Sequence, residues 1–282
     1  MTRTSRDRKY LHDFDDDALE RLELQHRVWR ARALEAWQRA GFTAGQSLLD
    51  VGAGPGFATV DLAGIVGPQG RVHAVERSAR LVEALRERAR RCGYDNIVAH
   101  CRDVAVDGLP VEDGTMDGAW CRWIFAFMRQ PAVLLESLAA ALRPGGVLVV
   151  HEYLDYRTWR LAPRSLLLER FVAEVLGSWR DAGGEPDIAL DLPGWLAEAG
   201  FEVRELRPVL DIISPASFVW QWPASFIDSS LRRLVELGRI APALADEIGA
   251  EFQERSRDPA SLMITPAVVE IIAVRREDGE QD

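Results

Sequence analysis

An alternation of short apolar strands with amphipathic helices constrains this chain more than any other feature of its sequence. Ser47–Gly52 reads as a strand and Phe57–Ile65 as a helix. Val72–Val75 reads as a second strand ending in Glu76, and Ala79–Cys92 as a helix with Val82, Leu85, Ala89 and Cys92 on one face. Ile97–Cys101 is a third strand ending at Asp103. A fourth runs from Met116 to about Trp123, Pro131–Leu142 is a helix, and the turn at Pro144-Gly-Gly146 leads into the strand Val147–Val150. Continuously apolar strands are buried on both faces, which predicts an α/β fold: a mostly parallel sheet with helices on both sides. Such sheets bind ligands beyond the carboxyl ends of their strands, where Asp50, Glu76 and Asp103 fall.

The flanks follow a different rhythm. Leu22, His26, Trp29, Ala33 and Trp37 share one helical face, and Gly41 ends that helix. Before it lies a charged arm that includes Tyr10 and His12. After Glu152, Leu166–Leu176 reads as a helix, Asp191-Leu-Pro193 opens a short helix ending at Gly200, and Phe201–Leu206 is a strand. Residues 211–260 are mostly helical, and Leu262–Val274 reads as a last strand with Pro266 at its start or in a bulge. The expected organisation is an N-terminal arm and helix (1–45), a ligand-binding core (46–152), a helical insertion (153–190), a return to the core (191–210), a second helical insertion (211–260) and a last core strand with a tail (261–282). The two insertions are expected to form a helical cap, or else to extend the core.

Composition removes whole classes. A net charge of −10 argues against a generic duplex-binding surface. Three cysteines make no disulfide framework, and the histidines have no metal-ligand spacing, so no metal is expected. There is no apolar run long enough to cross a bilayer and no signal-peptide pattern, so a cytoplasmic protein without membrane insertion is expected. The unusual count is nine tryptophans against four tyrosines.

The sharpest local motif is Asp50-Val-Gly-Ala-Gly54-Pro-Gly56, a tight turn where the backbone can approach a ligand closely. Alone it is a weak signal. Glu76 at the next strand end is placed to accept both hydroxyls of a ribose, and Asp103 to accept from an exocyclic amine. These residues, with Leu142-Arg-Pro-Gly-Gly-Val-Leu-Val149, resemble the successive motifs of class I S-adenosylmethionine-dependent methyltransferases, most closely the broad group acting on quinones, sterols and natural products. The resemblance covers about residues 20–152, and the last two strands match in order the hairpin closing that family's seven-stranded, Rossmann-like sheet. It implies S-adenosyl-L-methionine as cofactor. Gly52, Gly54 and Gly56 would lie against its methionine part and ribose. Asp50 would hold the loop and the amino group, Glu76 the ribose hydroxyls, and Asp103 with the backbone of Val104 the adenine. Arg122 and Trp123 would line the methionine end. A dehydrogenase using NAD is the rival, but the glycines run G-x-G-x-G rather than G-x-G-x-x-G.

Methyl transfer is an in-line displacement, so a base is needed only where the nucleophile holds its proton. His151 and Glu152, at the end of the fifth strand, are the candidates. His151 has a suitable intrinsic pKa, or it simply hydrogen-bonds within the strand. The two should point to opposite sides. Nucleic-acid acceptors are disfavoured because Ala119-Trp-Cys-Arg-Trp-Ile-Phe125 lacks the Pro-Pro signature of base-modifying enzymes. A small, partly apolar acceptor is expected, with Tyr10, Phe127, Tyr153, Trp220 and Trp222 as candidate pocket residues, against plain packing for each. Oxygen, nitrogen and carbon acceptors, a monomer or a homodimer, and an inactive cofactor-binding scaffold or sensor all stay open.

Overall fold

Apolar strand runs between helices give the chain its core, as a computed structural model shows. The structure describes residues 16–277. Its main sheet holds β1 (Ser47–Val51), β2 (Arg71–Glu76), β3 (Ile97–Cys101), β4 (Met116–Arg122), β5 (Leu142–Asp155), β7 (Phe201–Val209) and β10 (Ala267–Arg275). Their order is β3-β2-β1-β4-β5-β10-β7. The β1–β2, β2–β3, β1–β4 and β4–β5 pairs are parallel. Arg276 N donates to Gly200 O at 2.9 Å, joining the end of β10 to the start of β7, which sets these two strands antiparallel. The sheet is thus the mostly parallel, Rossmann-like one expected. Strand order reverses between β1 and β4, and a crevice opens at such a switch point.

Two compact units divide the chain. Among the described residues, the first comprises Asp16–Val28, Tyr153–Asp187 and Pro208–Val268; the second comprises Trp29–Glu152, Ile188–Arg207 and Val269–Glu277. The division falls within α1 (Asp16–Arg39). In the second unit, Trp37, Ala33 and Ala36 of α1 pack with Leu62 and Val66 of α2 (Phe57–Val66) against Leu48, Val72, Trp120, Val149 and Ile272 of the sheet. The helix α3 (Ala79–Cys92) sets Leu85 against Ala74 and Ala53 on the same side. The segments α4 (Val104–Asp107), α5 (Pro131–Ala141) and α7 (Leu192–Glu198) complete this unit.

The other unit has its own core. Three helices, α6 (Leu166–Asp181), α8 (Gln221–Glu236) and α9 (Pro242–Arg257), contact one another. Beside them a small sheet is ordered β6 (Arg160–Ala162), β9 (Leu262–Ile264), β8 (Ile212–Ile213), with antiparallel pairs. Arg239 bridges Glu174 and Asp181 of α6.

Two departures from the sequence reading have local causes. Leu262–Val274 is not one strand. Pro266 has no N–H to donate, and the chain on its two sides enters different sheets. The fifth strand is far longer than Val147–Val150: it begins at Leu142 and absorbs Pro144-Gly-Gly146 through a register shift opposite Met116 and Gly118.

The packing beneath β4 leaves no spare volume. A Cβ on Gly118 would lie 2.5 Å from Phe42 Cε1 and 3.0 Å from Leu48 Cδ2. Gly118→Ala should therefore cost about 1–3 kcal/mol through overpacking. Urea denaturation checks this, and an unchanged midpoint would contradict it.

Candidate functional site

The loop between β1 and α2 is shaped by backbone that only glycine adopts freely. Gly52 has φ 74° and Gly56 has φ 84°. The loop folds over the end of β2, where Val75 O accepts from Gly52 N at 2.9 Å and Ala53 N at 3.1 Å. At Gly56 a Cβ would lie 2.6 Å from Leu85 Cγ, so α3 can approach the turn only beside a glycine. At Gly54 it would meet nothing within 4 Å, so open space adjoins the backbone there.

Glu76 ties this loop to the end of β2. Its Oε2 accepts from Gly54 N at 3.1 Å and its Oε1 from Ser78 N at 2.8 Å. Each carboxylate oxygen retains acceptor capacity beyond these bonds, enough for a pair of hydroxyls. Burial raises its pKa, opposed by the Ser78 and Gly54 amides. Asp50 is buried and accepts from Thr59 Oγ1 at 2.6 Å, clamping β1 to α2. Burial pushes Asp50 up to about 6, against the Thr59 hydrogen bond and the charge of Arg122. Asp103, two residues past the end of β3, caps α4 by accepting from Ala105 N at 3.1 Å and is half-buried; Val104 beside it is buried.

The chain leaving β4 forms the opposite side. Arg122 and Trp123 are half-buried. The Arg122 guanidinium lies 5.1 Å from the Trp123 ring centroid and 5.7 Å from that of Trp120. Trp123 has φ 51°, left-handed backbone that costs an L residue energy. Its N donates to His151 O at 3.0 Å, and its ring meets Trp29 edge to face at 5.1 Å. The Ile124 side chain packs towards Gly52, with Cδ1 3.1 Å from where a Cβ would sit.

His151 and Glu152 both find partners within the protein. His151 is fully buried, and its Nε2 lies 2.9 Å from Glu270 Oε2. Trp120 and Trp29 rings lie at 4.8 and 5.8 Å from it, and Arg39 pairs with Glu270 from α1. Burial holds its pKa well below the ordinary value, reinforced by Arg122, Arg32 and Arg39. A carboxylate can only accept, so Nε2–H donates to it. Glu152, also fully buried, accepts through Oε2 from Phe125 N at 3.0 Å and Ala126 N at 3.4 Å. Both side chains are enclosed and engaged with groups of the protein itself. The sequence reading missed their partners, although Glu270 is a lone acid in the apolar run Ala267–Ala273.

Of the candidate pocket residues, Phe127 belongs to one unit and Tyr153, Trp220 and Trp222 belong to the other. Phe127 is on the surface of the core unit at 38% exposure. Tyr153 belongs to the helical unit and packs with Tyr156, while Trp179 and Phe226 extend the same cluster. Trp220 stacks on Phe252 at 5.8 Å and donates to Ser256 Oγ, and Trp222 is buried in α8. Tyr10 and His12 lie outside the described residues. Among the described residues no cluster of three metal-ligating side chains exists, and no helix is long and apolar enough to cross a membrane.

Residues 42–174 match the family described as "Methyltransferase domain". That match covers a little under half of the chain. An uncharacterized 37.1 kDa protein in transposon TN4556 of Streptomyces fradiae is 37% identical over 204 residues, 72% of this chain and 56% of that protein. The O-methyltransferase cnsE of Penicillium expansum is 29% identical over 209 residues, 73% of this chain and 70% of that one. The chain thus spans little more than half the length of the first of these relatives. Among solved structures, the [4+2]-cyclase SpnF shares the fold with a TM-score of 0.57 at 19% identity, covering 88% of this chain and 82% of that one.

The Asp50 environment sets a pH dependence. The unfolded carboxyl titrates near 3.8 and the folded one near 6, so the folded protein holds a proton that the unfolded chain releases between them. Stability attributable to this group falls as pH rises through that window, and the loss is complete above it. Asp50→Asn should be more stable than wild type at pH 8 by on the order of 1–3 kcal/mol, with little difference at pH 4. Denaturant titrations at both pH values measure this; an equal difference at both would contradict it.

Proposed function

We propose that this protein binds S-adenosyl-L-methionine on the glycine loop and transfers its methyl group to a small, partly apolar acceptor, releasing S-adenosylhomocysteine. The observation that carries the reading is Glu76, which spans Gly54 and Ser78 and keeps two acceptor positions at the end of β2, one strand from the switch point of the sheet. The residues fit the cofactor in other respects. Gly54 leaves open space beside its backbone, and Asp103 stands one strand farther along. Gly54 N–H is already committed to a carboxylate, an environment that repels a pyrophosphate and argues against NAD.

When bound, the cofactor supplies an electrophilic methyl on a sulfonium. Glu76 would hold the ribose hydroxyls, and Asp103 with the Val104 backbone the adenine. Gly52, Gly54 and Gly56 would bring backbone against the methionine part. Asp50 would keep the loop in place through Thr59, while Arg122 and Trp123 would line the methionine end. The chain's work is then alignment and exclusion of water. With His151 and Glu152 enclosed, the reading uses no general base from β5. The O-methyltransferase name of the Penicillium relative supports methyl transfer, to oxygen in that protein.

A second reading keeps the cofactor and drops methyl transfer. The enclosure of both candidate bases favours it, and the cyclase name of one structural relative illustrates that this fold is not confined to one chemistry. Calorimetric titration with S-adenosylhomocysteine and with NAD, followed by radiolabelled methyl transfer to a panel of phenols, amines and prenylated small molecules, separates the cases. The expected outcome is binding of S-adenosylhomocysteine without NAD, at least about tenfold weaker binding in Glu76→Ala from loss of hydrogen bonds to a charged acceptor, and labelling of a panel member. Binding of NAD alone would overturn the cofactor assignment, and cofactor binding without labelling would favour the second reading.

A further inference from the structure

We propose that the consecutive β5 residues His151 and Glu152 are positioning residues for the cofactor loop: they pin the chain leaving β4, and that pinned segment holds Ile124 against Gly52. The inference rests on the cofactor reading above and assigns a mechanical role to two residues that sequence alone suggests as bases.

The segment after β4 needs external support. Trp123 is in left-handed backbone, and the turn at Phe125–Phe127 is a single turn of 3-10 helix whose first amides have no partner within it. β5 supplies both supports. The His151 carbonyl accepts from Trp123 N at 3.0 Å, and the Glu152 carboxylate accepts from Phe125 N at 3.0 Å and Ala126 N at 3.4 Å. A carboxylate accepting from amides makes stronger bonds than a neutral acceptor does. Ile124 lies between these supported residues, and its Cδ1 approaches Gly52 on the far side. The side chain of His151 is fixed independently by Glu270, which pairs with Arg39. The backbone of β5 is therefore anchored where it carries the loop. Glu152 holds the turn, the turn holds Ile124, and Ile124 forms a wall of the glycine loop.

The role separates from simple structural support by where its loss is felt. The test measures S-adenosylhomocysteine binding by calorimetry, and hydrogen exchange at the Phe125 and Ala126 amides by NMR, on the full chain. Glu152→Ala should speed exchange at both amides and weaken binding by about tenfold or more, the effect of removing a charged acceptor. Glu152→Gln keeps an acceptor oxygen and should stay within about threefold of wild-type binding. Ile124→Ala should weaken binding several-fold while leaving exchange at Phe125 and Ala126 unchanged. A folded Glu152→Ala with wild-type exchange and binding would overturn the proposal. If that variant does not fold, wild-type binding by Ile124→Ala overturns it, and weakened binding upholds it. If the wild-type protein itself binds no S-adenosylhomocysteine, the cofactor reading fails, and unchanged exchange in a folded Glu152→Ala would separately refute the pinning.

Discussion

The reversal at the end of β1 is the constraint on which the rest of the core depends. A chain leaving a buried strand must turn within a few residues to start a helix that packs back on the sheet. Here it does so through left-handed glycines, under a β2 carbonyl that accepts two of its amides. Any side chain at Gly56 would strike α3. The turn, the seat of α2 and the approach of α3 are thus one geometric solution, and the backbone comes to lie bare at the switch point of the sheet.

Electrostatics follow from that geometry. Asp50 and Glu76 are both drawn from water at strand ends, and both have raised pKa values because burial disfavours their charged forms. Thr59, Ser78 and Gly54 supply the hydrogen bonds that make the burial tolerable. A fold with no other use for these carboxylates would do better without them. The proposed cofactor, rich in hydroxyls and carrying positive charge, would give them a use, in keeping with the match of residues 42–174 to a methyltransferase domain family.

The periodicity of the core was legible because buried parallel strands and their helices leave strong patterns. Ala79–Cys92 and Ile97–Cys101 occupy the residues read from spacing alone. The three acids and the glycines were legible because strand ends locate them. What was not legible depended on side-chain direction and long-range partners. His151 and Glu152 looked like adjacent bases at a strand end, yet one meets Glu270, 119 residues away, and the other meets backbone amides of a turn. The small sheet escaped notice because its strands are two or three residues long and owe their form to pairing rather than to pattern. Of the tryptophans, Trp29, Trp37 and Trp120 are core residues as the helical and strand periodicity implied. The excess beyond them is largely spent on the helical unit, where Trp159 and Trp179 meet Tyr156, while Trp220 stacks on Phe252. A small unit whose sheet has such short strands gains much of its buried area from large rings.

The account stands most directly on a crystal structure of the protein with S-adenosylhomocysteine. It predicts the ribose hydroxyls within hydrogen-bond distance of both Glu76 oxygens, with the homocysteine part lying along Gly52–Gly56. Density for the ligand away from the glycine loop, or a ribose that leaves Glu76 bonded only to Gly54 and Ser78, would contradict it.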